Sequence, residues 1–429
     1  MPLTKDDRTL SERSRAPSVP GSPAAWLVMA GLVLAALNLR PAIAGLGPVL
    51  AEVRRDLDMN GVVAGLLTSL PALCFGLVGL SAPRLARRHG PVAVMLLGLT
   101  AVVAGLALRP LAGGTWFFVA ASALALAGIA IGNVLMPVLV TRFFPDRVGA
   151  VTGLYSTGFA LGTAAAAGLT IPATDALGGG WRMGLSVWAA LAVLALPPWI
   201  AVLLSQRRRA AGAPGPAGRA GATGARGAAV PGEATALPRL TRSATARALA
   251  VFFGLQATAA YVTMGWAPQI FRDAGVSAGT SGVLLAVIMG VGVPFNLVLP
   301  RIAARMRHQG PLTVVLGGCG LIGYAGLWLA PVGGAWVWAF FLGISNCAFP
   351  VALTMIGLRS HTAHGVARLS AFTQSTGYLL CVPGPLLVGT MNEATGGWEL
   401  PLAFLTVLMF AQIAAGVIAG RDRRIEDGG

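Results

Sequence analysis

Charged residues are scarce in this chain of 429 residues: only 11% are Asp, Glu, Lys or Arg, whereas 55% are hydrophobic. A water-exposed surface carries about twice that share of charge, so the composition excludes a soluble globular domain. Cysteine is rare as well, and each cysteine stands alone in an apolar stretch, without metal-ligand spacing or a pairing pattern. We therefore expect buried thiols and no metal site; the residues concerned are Cys74, Cys319, Cys347 and Cys381.

Acidic residues are absent from the interior of every long apolar stretch. The carboxylates nearest to these stretches all fall at or beyond their ends, namely Glu52, Asp56, Asp58, Asp175, Asp273, Glu393 and Glu399. Carriers of organic cations usually need a buried carboxylate, and proton relays usually use chains of Asp, Glu or His. The sequence therefore argues against a cationic substrate.

Nucleotide-binding and catalytic patterns are missing too. The chain has no glycine-rich phosphate loop followed by Lys and Ser or Thr, so it carries no ATP-driven pump domain. No constellation of nucleophile, acid and base appears. We expect no enzyme activity and no cofactor.

Long apolar stretches are what the sequence has in abundance. A helix rising 1.5 Å per residue needs about 20 apolar residues to cross about 30 Å of hydrocarbon. Twelve stretches meet this length and predict an all-α polytopic membrane protein embedded in a lipid bilayer. They are residues 24–50, 61–82, 91–108, 115–140, 148–171, 183–204, 248–271, 279–299, 311–330, 335–358, 366–391 and 400–419.

The twelve stretches divide into two groups of six. Between them, residues 205–243 are rich in Ala, Gly, Pro and Arg with almost nothing to bury, which is typical of a disordered linker. Its arginines either bind anionic lipid headgroups or only fix the topology. We predict a tail (1–23), a six-helix bundle (24–204), the linker (205–243), a second six-helix bundle (244–420) and a tail (421–429).

The net charge of +16 could suggest nucleic acid, but the basic residues lie in short clusters between the apolar stretches. Six arginines are buried or lie on one side of the predicted bundle: Arg40, Arg54, Arg55, Arg109, Arg182 and Arg272. The other 25 of the 31 Lys and Arg fall on the opposite side, together with both termini. By the positive-inside rule that side is cytoplasmic, and we expect no nucleic-acid partner.

The second group of stretches repeats the first. GNVLMPVLVT (132–141) aligns with SNCAFPVALT (345–354), STGF (156–159) with STGY (375–378), and PRLARRHGP (83–91) with PRIAARMRHQGP (300–311). The three matches keep the same order at nearly the same offset. They indicate two related halves.

These halves resemble the major facilitator superfamily over the whole chain apart from its tails and linker. In that superfamily the loop between helices 2 and 3 carries a Gly, Asp, Arg and Gly pattern; here Gly79, Arg84, Arg87 and Arg88 match, while Pro83 replaces the Asp. The resemblance implies gating by this loop and by Arg301 in the repeated loop, although the missing Asp removes the usual charge latch. It also implies a substrate site between the halves near the midplane.

The stretch ALNLRPAIAGLGPVL (36–50) is similar to the helix 1 signature of the cyanate and 2-nitroimidazole transporter family. An arginine near the centre of a helix opposes insertion by about 2.5–3.5 kcal/mol, so Arg40 needs a compensating interaction. It either coordinates an anionic or strongly dipolar substrate, or it binds carbonyls freed by Pro41 or amides on neighbouring helices. Asn38 is a weaker candidate because two residues turn a helix by about 200°.

Other polar residues within the apolar stretches are candidates of lower rank. Gln256, Tyr261 and Gln374 stand first among them, because helices 7 and 11 line the cavity in the fold that the chain resembles. For each, hydrogen bonding between helices is at least an equal alternative. Arg109 is either a second anion contact or an interface anchor, and the sequence slightly favours the anchor.

We therefore expect a monomeric secondary transporter of the inner or plasma membrane that moves a small anionic or polar solute, such as a cyanate-like anion, by alternating access. Efflux of neutral polar toxicants such as nitroimidazoles is the alternative. A membrane sensor that kept the fold but lost transport is a third possibility.

Overall fold

The computed structural model describes residues 23–178, 180–211 and 240–426, and these residues fold almost wholly into α-helices. In this part of the chain, eleven helical segments are long and apolar enough to cross a membrane. Most segments are single helices: Gly61–His89, Pro91–Leu108, Thr115–Phe143, Val148–Leu177, Ala244–Asp273, Ala278–Arg305, Gly310–Leu329 and Glu399–Ala419. With four further segments built from shorter helices, they confirm the all-α fold with the predicted order. We number the segments 1 to 12 along the chain.

Four segments are interrupted. Segment 1 consists of Pro23–Asn38, Pro41–Ala44, a 3-10 turn at Gly47–Val49, and Leu50–Asp56; segment 6 of Gly180–Val193 and Leu196–Ala211; segment 10 of Ala335–Asn346 and Ala348–Leu358; and segment 11 of Ala363–Cys381 and Pro383–Thr395. After each break a proline, Pro41, Pro197, Pro350 or Pro383, stands in the first turn of the next helix, and it has no N–H to continue the helical ladder. Segment 11 was expected as one apolar span over 366–391. In the structure it is divided into two helices, and it is the segment of the twelve that is missing from the eleven apolar spans of the described residues.

The two halves meet along segments 5 and 8 and along segments 2 and 11. At one end of the bundle they are tied together; we call it the closed end, where the chain turns at residues 57–60, 274–277 and 396–398. The Arg272 guanidinium binds both carboxylate oxygens of Glu52, at 3.0 and 2.6 Å, and also donates to the carbonyl oxygen of Pro48 at 3.2 Å. Segments 1 and 7 are thereby joined by a bidentate ion pair.

Segments 2 and 11 approach each other closely at the same end. A side-chain carbon added to Gly61 would lie 2.5 Å from the carbonyl oxygen of Gly389, so the contact requires glycine. The Val62 N–H donates to Glu393 Oε2 at 3.2 Å, and the Ser69 hydroxyl donates to the Val382 carbonyl at 2.8 Å. Val382 is the residue at the break in segment 11, so the break supplies an acceptor to the other half.

The opposite end is different. Among the described residues, every hydrogen bond between the halves lies between the closed end and the middle of the bundle. Arg84, Arg87, Arg88 and Arg301 are all exposed at the opposite end, and in the described part of the chain none has a hydrogen bond or an ion pair from its side chain. The halves are therefore joined by hydrogen bonds at one end, and the described residues form none between them at the other.

Arg359 follows segment 10 at the end of the bundle opposite the closed end, and it is a buried structural arginine. Its Nε donates to the Ala419 carbonyl at 3.0 Å, and its Nη2 donates to Gln309 Oε1. Burial lowers the pKa of Arg359 from its ordinary value, because desolvation penalises the charged form. No pattern in the sequence distinguishes this arginine from its exposed neighbours.

Candidate functional site

The candidate site begins at the break in segment 1. Leu39 and Arg40 separate the helix Pro23–Asn38 from the short helix Pro41–Ala44, where Pro41 stands at the first helical position. The Arg40 carbonyl accepts from the N–H groups of Ile43 and Ala44 at 3.0 and 3.1 Å. Arg40 thus caps the new helix with its backbone, which leaves its side chain free for other contacts.

The Arg40 guanidinium lies over the ring of Phe159, 5.4 Å from its centroid. The side chain is half-buried, and within the described residues it makes no hydrogen bond and no ion pair. Its charge acts on two tyrosines of the other half, Tyr261 and Tyr378. The printed contact of this guanidinium is therefore an aromatic one, and its five N–H donors have no acceptor among the described residues.

The two tyrosines belong to a continuous aromatic wall. Their side chains interact through their hydroxyl groups. The Tyr378 ring packs 5.2 Å from Phe75 and 5.0 Å from Phe253, and the Tyr261 ring lies 6.4 Å from Phe75. Segments 2, 7 and 11 therefore bring a mostly apolar wall with two hydroxyl groups close to the Arg40 charge.

Phe159 and Tyr378 occupy equivalent positions of the internal repeat, as the last residues of STGF and STGY. One comes from each half, and Arg40 interacts with both. Phe159 is not polar, and Tyr378 is not among the polar residues that the sequence analysis placed first. The repeat was the signal that could have found both.

Asn38 does not join this group. It is buried, and its Nδ2 donates to the Leu34 carbonyl one turn earlier at 2.7 Å, while its Oδ1 has no hydrogen-bond partner. The amide therefore closes the end of the helix Pro23–Asn38.

Gln256 lies in a network inside the second half. Its Nε2 donates to Asn346 Oδ1 at 3.3 Å and to the Asn346 carbonyl at 3.4 Å, and its Oε1 accepts from Gln412 Nε2 at 2.6 Å. These bonds join segments 7, 10 and 12, which corresponds to the alternative of hydrogen bonding between helices.

Gln374 donates from Nε2 to the Ser370 hydroxyl on its own helix at 2.8 Å and is half-buried. It lies one turn before Tyr378 on segment 11. Of the five residues proposed from the sequence, the structure therefore brings Arg40 and Tyr261 together, with Gln374 nearby along the helix.

Arg109 caps a carbonyl of segment 1 that lies after Pro41 and is not one of those that Pro41 frees. The Leu46 N–H bonds to the Ile43 carbonyl, so the Ala42 carbonyl accepts instead from Arg109 Nη1 at 2.7 Å. Arg109 Nε donates to the Ser122 hydroxyl at 2.9 Å. With 1% of its side chain exposed, Arg109 cannot be the interface anchor that the sequence favoured.

A small cavity of about 20 Å³, room for about one water, lies between Arg109 and Tyr261. Most of its lining is apolar, and the residues that matter here are Arg109, Tyr261, Thr68, Leu67, Leu126 and Gly265. Arg40 is not among the lining residues.

The described residues hold no cluster of His, Cys, Asp or Glu that could bind a metal ion. All four cysteines are free; Cys74, Cys347 and Cys381 are buried as expected, whereas Cys319 is only half-buried.

Comparison with known proteins gives a consistent picture. The model of the Major Facilitator Superfamily matches residues 28–385. The uncharacterized transporter YycB of Bacillus subtilis is 34% identical over 93% of this chain and 94% of its own length. The 2-nitroimidazole transporter of Escherichia coli is 32% identical (93% and 96% covered), and the cyanate transport protein CynX of Escherichia coli is 27% identical (87% and 92%).

Solved structures agree on the fold. The inward open conformation of the xylose transporter XylE from E. coli superposes with a TM-score of 0.67 at 13% identity, covering 92% of this chain and 95% of that one. A bacterial homolog of the human lysosomal transporter Spinster, inward-facing and unoccupied, gives a TM-score of 0.66 at 18% identity, covering 93% and 96%.

Proposed function

This chain belongs to the major facilitator superfamily, and on that premise we propose that it is a secondary transporter that binds a small anionic or strongly dipolar solute at Arg40. Its relatives along nearly the full chain are transporters, and the chain is a multi-pass membrane protein. The observation that carries the proposal is that the Arg40 side chain has no acceptor among the described residues. A retained charge at this depth needs a partner, and a substrate can supply it.

The chemistry of the surroundings narrows the solute. The described residues give Arg40 no carboxylate partner, so a bound anion would not compete with a fixed negative charge. The planar guanidinium can donate to two acceptor atoms at once, as a carboxylate-like anion or a nitro group requires. The amides of Asn38 and Gln256 already form hydrogen bonds to other protein groups. Tyr261 and Gln374 lie where they can add polar contacts to the solute.

A nitroaromatic solute is a second candidate because of the aromatic wall. The Phe159 ring lies 5.4 Å from the Arg40 guanidinium, and the Arg40 charge also acts on Tyr378. A flat heterocycle can stack on such rings while its nitro dipole meets the guanidinium. The E. coli relative at 32% identity is a 2-nitroimidazole transporter. For the small anion we propose import, and for the neutral nitroaromatic, export.

The direction in which the site opens follows from the topology. The positive-inside rule places the closed end outside and the termini in the cytoplasm of a cell whose inner or plasma membrane holds the protein. The structure would then be an inward-open state.

Cysteine labelling tests this topology. Cysteines at Gly113 and Gly333, both exposed at the closed end, should react with an impermeant thiol reagent added to intact cells, and one at Ser14 should not. Ala112 would be a poor probe because it is 2% exposed.

The deciding experiment is uptake into proteoliposomes of cyanate, thiocyanate, nitrate and 2-nitroimidazole, with and without a pH gradient. We expect the wild-type protein to transport at least one of them and Arg40→Gln to transport none. Arg55→Gln is the matched control, because Arg55 is exposed and its side chain makes no contact given for the described residues. Normal uptake by Arg40→Gln, or failure of that variant to fold, would make Arg40 a structural residue.

A further inference from the structure

A groove of about 320 Å³ lies between segments 9 and 12 at the end of the bundle opposite the closed end. Its volume lies within the range of about 300–1,000 Å³ that is typical of small-molecule sites. Segment 9 packs mainly on segments 10 and 12 of its own half, so the groove belongs to the periphery of the second half and not to the surroundings of Arg40. The lining residues that matter here are His308, Gly310, Val314, Val417, Gly420 and Arg421.

The floor of this groove is a close backbone contact between the two segments. The Gln309 N–H donates to the Gly420 carbonyl at 3.0 Å. A side-chain carbon added to Gly420 would lie 2.5 Å from the Gly310 nitrogen, so the contact requires glycine. Gln309 is 1% exposed, and its Nε2 donates to the carbonyls of Ala303 and Met306 at 3.0 and 2.7 Å. The groove is therefore formed by the protein itself, before any ligand binds.

His308 and Arg421 supply the polar side chains of the groove. Both are exposed, and within the described residues neither side chain makes a hydrogen bond or an ion pair. Asp422, the carboxylate next to Arg421 in the chain, pairs with Arg307 at 3.4 Å instead. The N-terminus of the helix Gly310–Leu329 lies at the same place, and its dipole adds to the attraction for a negative charge. The polar part of the groove is therefore suited to an anion.

The remaining lining is apolar and continues onto the outer face of the bundle. Val314 and Val417 line the groove, and Val314 is 47% exposed. The neighbouring side chains of Val315 and Ile418 are 61% and 43% exposed. In a chain that spans a membrane, such an apolar surface faces lipid acyl chains. Cationic groups at the end of an apolar wall fit an amphiphile better than a soluble anion, which would leave the wall uncovered.

We propose that this groove binds an anionic glycerophospholipid, with its phosphate at Arg421 and His308 and its acyl chains along Val314 and Val417. The proposed topology places this end in the cytoplasm, so the lipid belongs to the cytoplasmic leaflet. That leaflet carries anionic lipids, and basic pockets between membrane helices on this side are suited to their headgroups. The topology decides only the leaflet, and binding of the lipid does not depend on the transported solute.

The test measures lipid binding to the full-length protein in detergent by native mass spectrometry, with phosphatidylglycerol as the anionic probe and phosphatidylcholine as the neutral one. We expect one phosphatidylglycerol per chain to bind at least about tenfold more tightly than phosphatidylcholine. Arg421→Gln should weaken phosphatidylglycerol binding about fivefold, the contribution of one basic residue, and leave phosphatidylcholine binding unchanged. Arg423→Gln is the matched control, because Arg423 is an exposed arginine of the same tail that does not line the groove.

A groove-filling variant tests the shape of the site apart from its charge. Val417→Phe keeps Arg421 and His308, so it should remove the preference for phosphatidylglycerol even if Arg421→Gln fails to fold. Equal affinity of the wild type for the two lipids, or equal losses in Arg421→Gln and Arg423→Gln, would overturn the proposal. Displacement of the lipid by free glycerol phosphate would overturn it in favour of a soluble phosphate site. Arg40→Gln should bind phosphatidylglycerol like the wild type, so a failure of the transport proposal is distinguishable from a failure of this one.

Discussion

Arg272 donates two hydrogen bonds, of 3.0 and 2.6 Å, to the Glu52 carboxylate across the closed end. Among the described residues, this is the single ion pair that joins the two halves. The two side chains are 19% and 31% exposed, so solvent screens part of the attraction. Its geometry is nevertheless the bidentate one that gives arginine pairs their strength.

Removing this pair should shift the transporter away from the state in which the closed end is joined. We expect Glu52→Gln to weaken closure by about 1 kcal/mol, or about fivefold in the equilibrium. The measurement is the rate at which a cysteine at Leu67, which lines the cavity, reacts with a thiol reagent added from the closed end. Arg182→Gln is the control, because Arg182 pairs with Asp56 inside the first half. Equal labelling rates in all three proteins would contradict the assignment.

Arg40 should depend on the shape of its side chain as well as on its charge. Arg40→Lys keeps the charge but loses the planar fork, so we expect at least a tenfold fall in apparent affinity with normal membrane insertion. Phe159→Leu removes the ring that faces the guanidinium at 5.4 Å, and a cation–π loss of about 1 kcal/mol should raise KM about fivefold. Transport kinetics in proteoliposomes measure both, and Phe340→Leu, on an exposed ring, is the control. An Arg40→Lys protein with unchanged KM would show that charge alone suffices.

The exposed arginines of the opposite end should act when that end closes. In the described residues Arg84 and Arg301 have no partner in this state, so they are free to form contacts between the halves in the other state. We expect Arg84→Gln and Arg301→Gln to slow turnover severalfold and to change substrate affinity less. Comparing kcat with the Kd of the same protein tests this. A loss of affinity with normal turnover would argue against gating.

Arg359 should matter for stability. Arg359→Met leaves the Ala419 carbonyl and Gln309 Oε1 without their buried donor, which should lower the free energy of unfolding by about 2–3 kcal/mol. Chemical unfolding in detergent measures the change. Arg301→Gln removes an exposed arginine at the same end and should stay within about 0.5 kcal/mol of the wild type. Similar losses in the two variants would show that burial of Arg359 contributes little.

The membrane segments and their pairing into two halves could be predicted because hydrophobic length and internal repetition are local properties of a sequence. The family membership and the all-α fold are confirmed on that basis. Prolines were a less certain guide. Pro41 and Pro383 begin new helices, whereas Pro71 and Pro137 lie inside continuous ones. Which prolines interrupt a helix depends on whether neighbouring segments satisfy the freed backbone groups.

Composition and spacing along the chain predict that Arg40 stands within a long apolar stretch that holds no acidic residue. Which groups surround Arg40 follows from the packing of segments that are distant in the sequence. Arg109 caps the Ala42 carbonyl 67 residues away, whereas the Arg40 guanidinium lies 5.4 Å from the Phe159 ring. The Arg40 charge also acts on Tyr378 of the other half. Gln256, which the sequence analysis ranked with Tyr261 as a substrate contact, forms hydrogen bonds with Asn346 and Gln412 instead. A polar side chain in a helix looks the same whether it points at a cavity or at another helix, and the rotation of each packed helix, which no local pattern encodes, determines the difference.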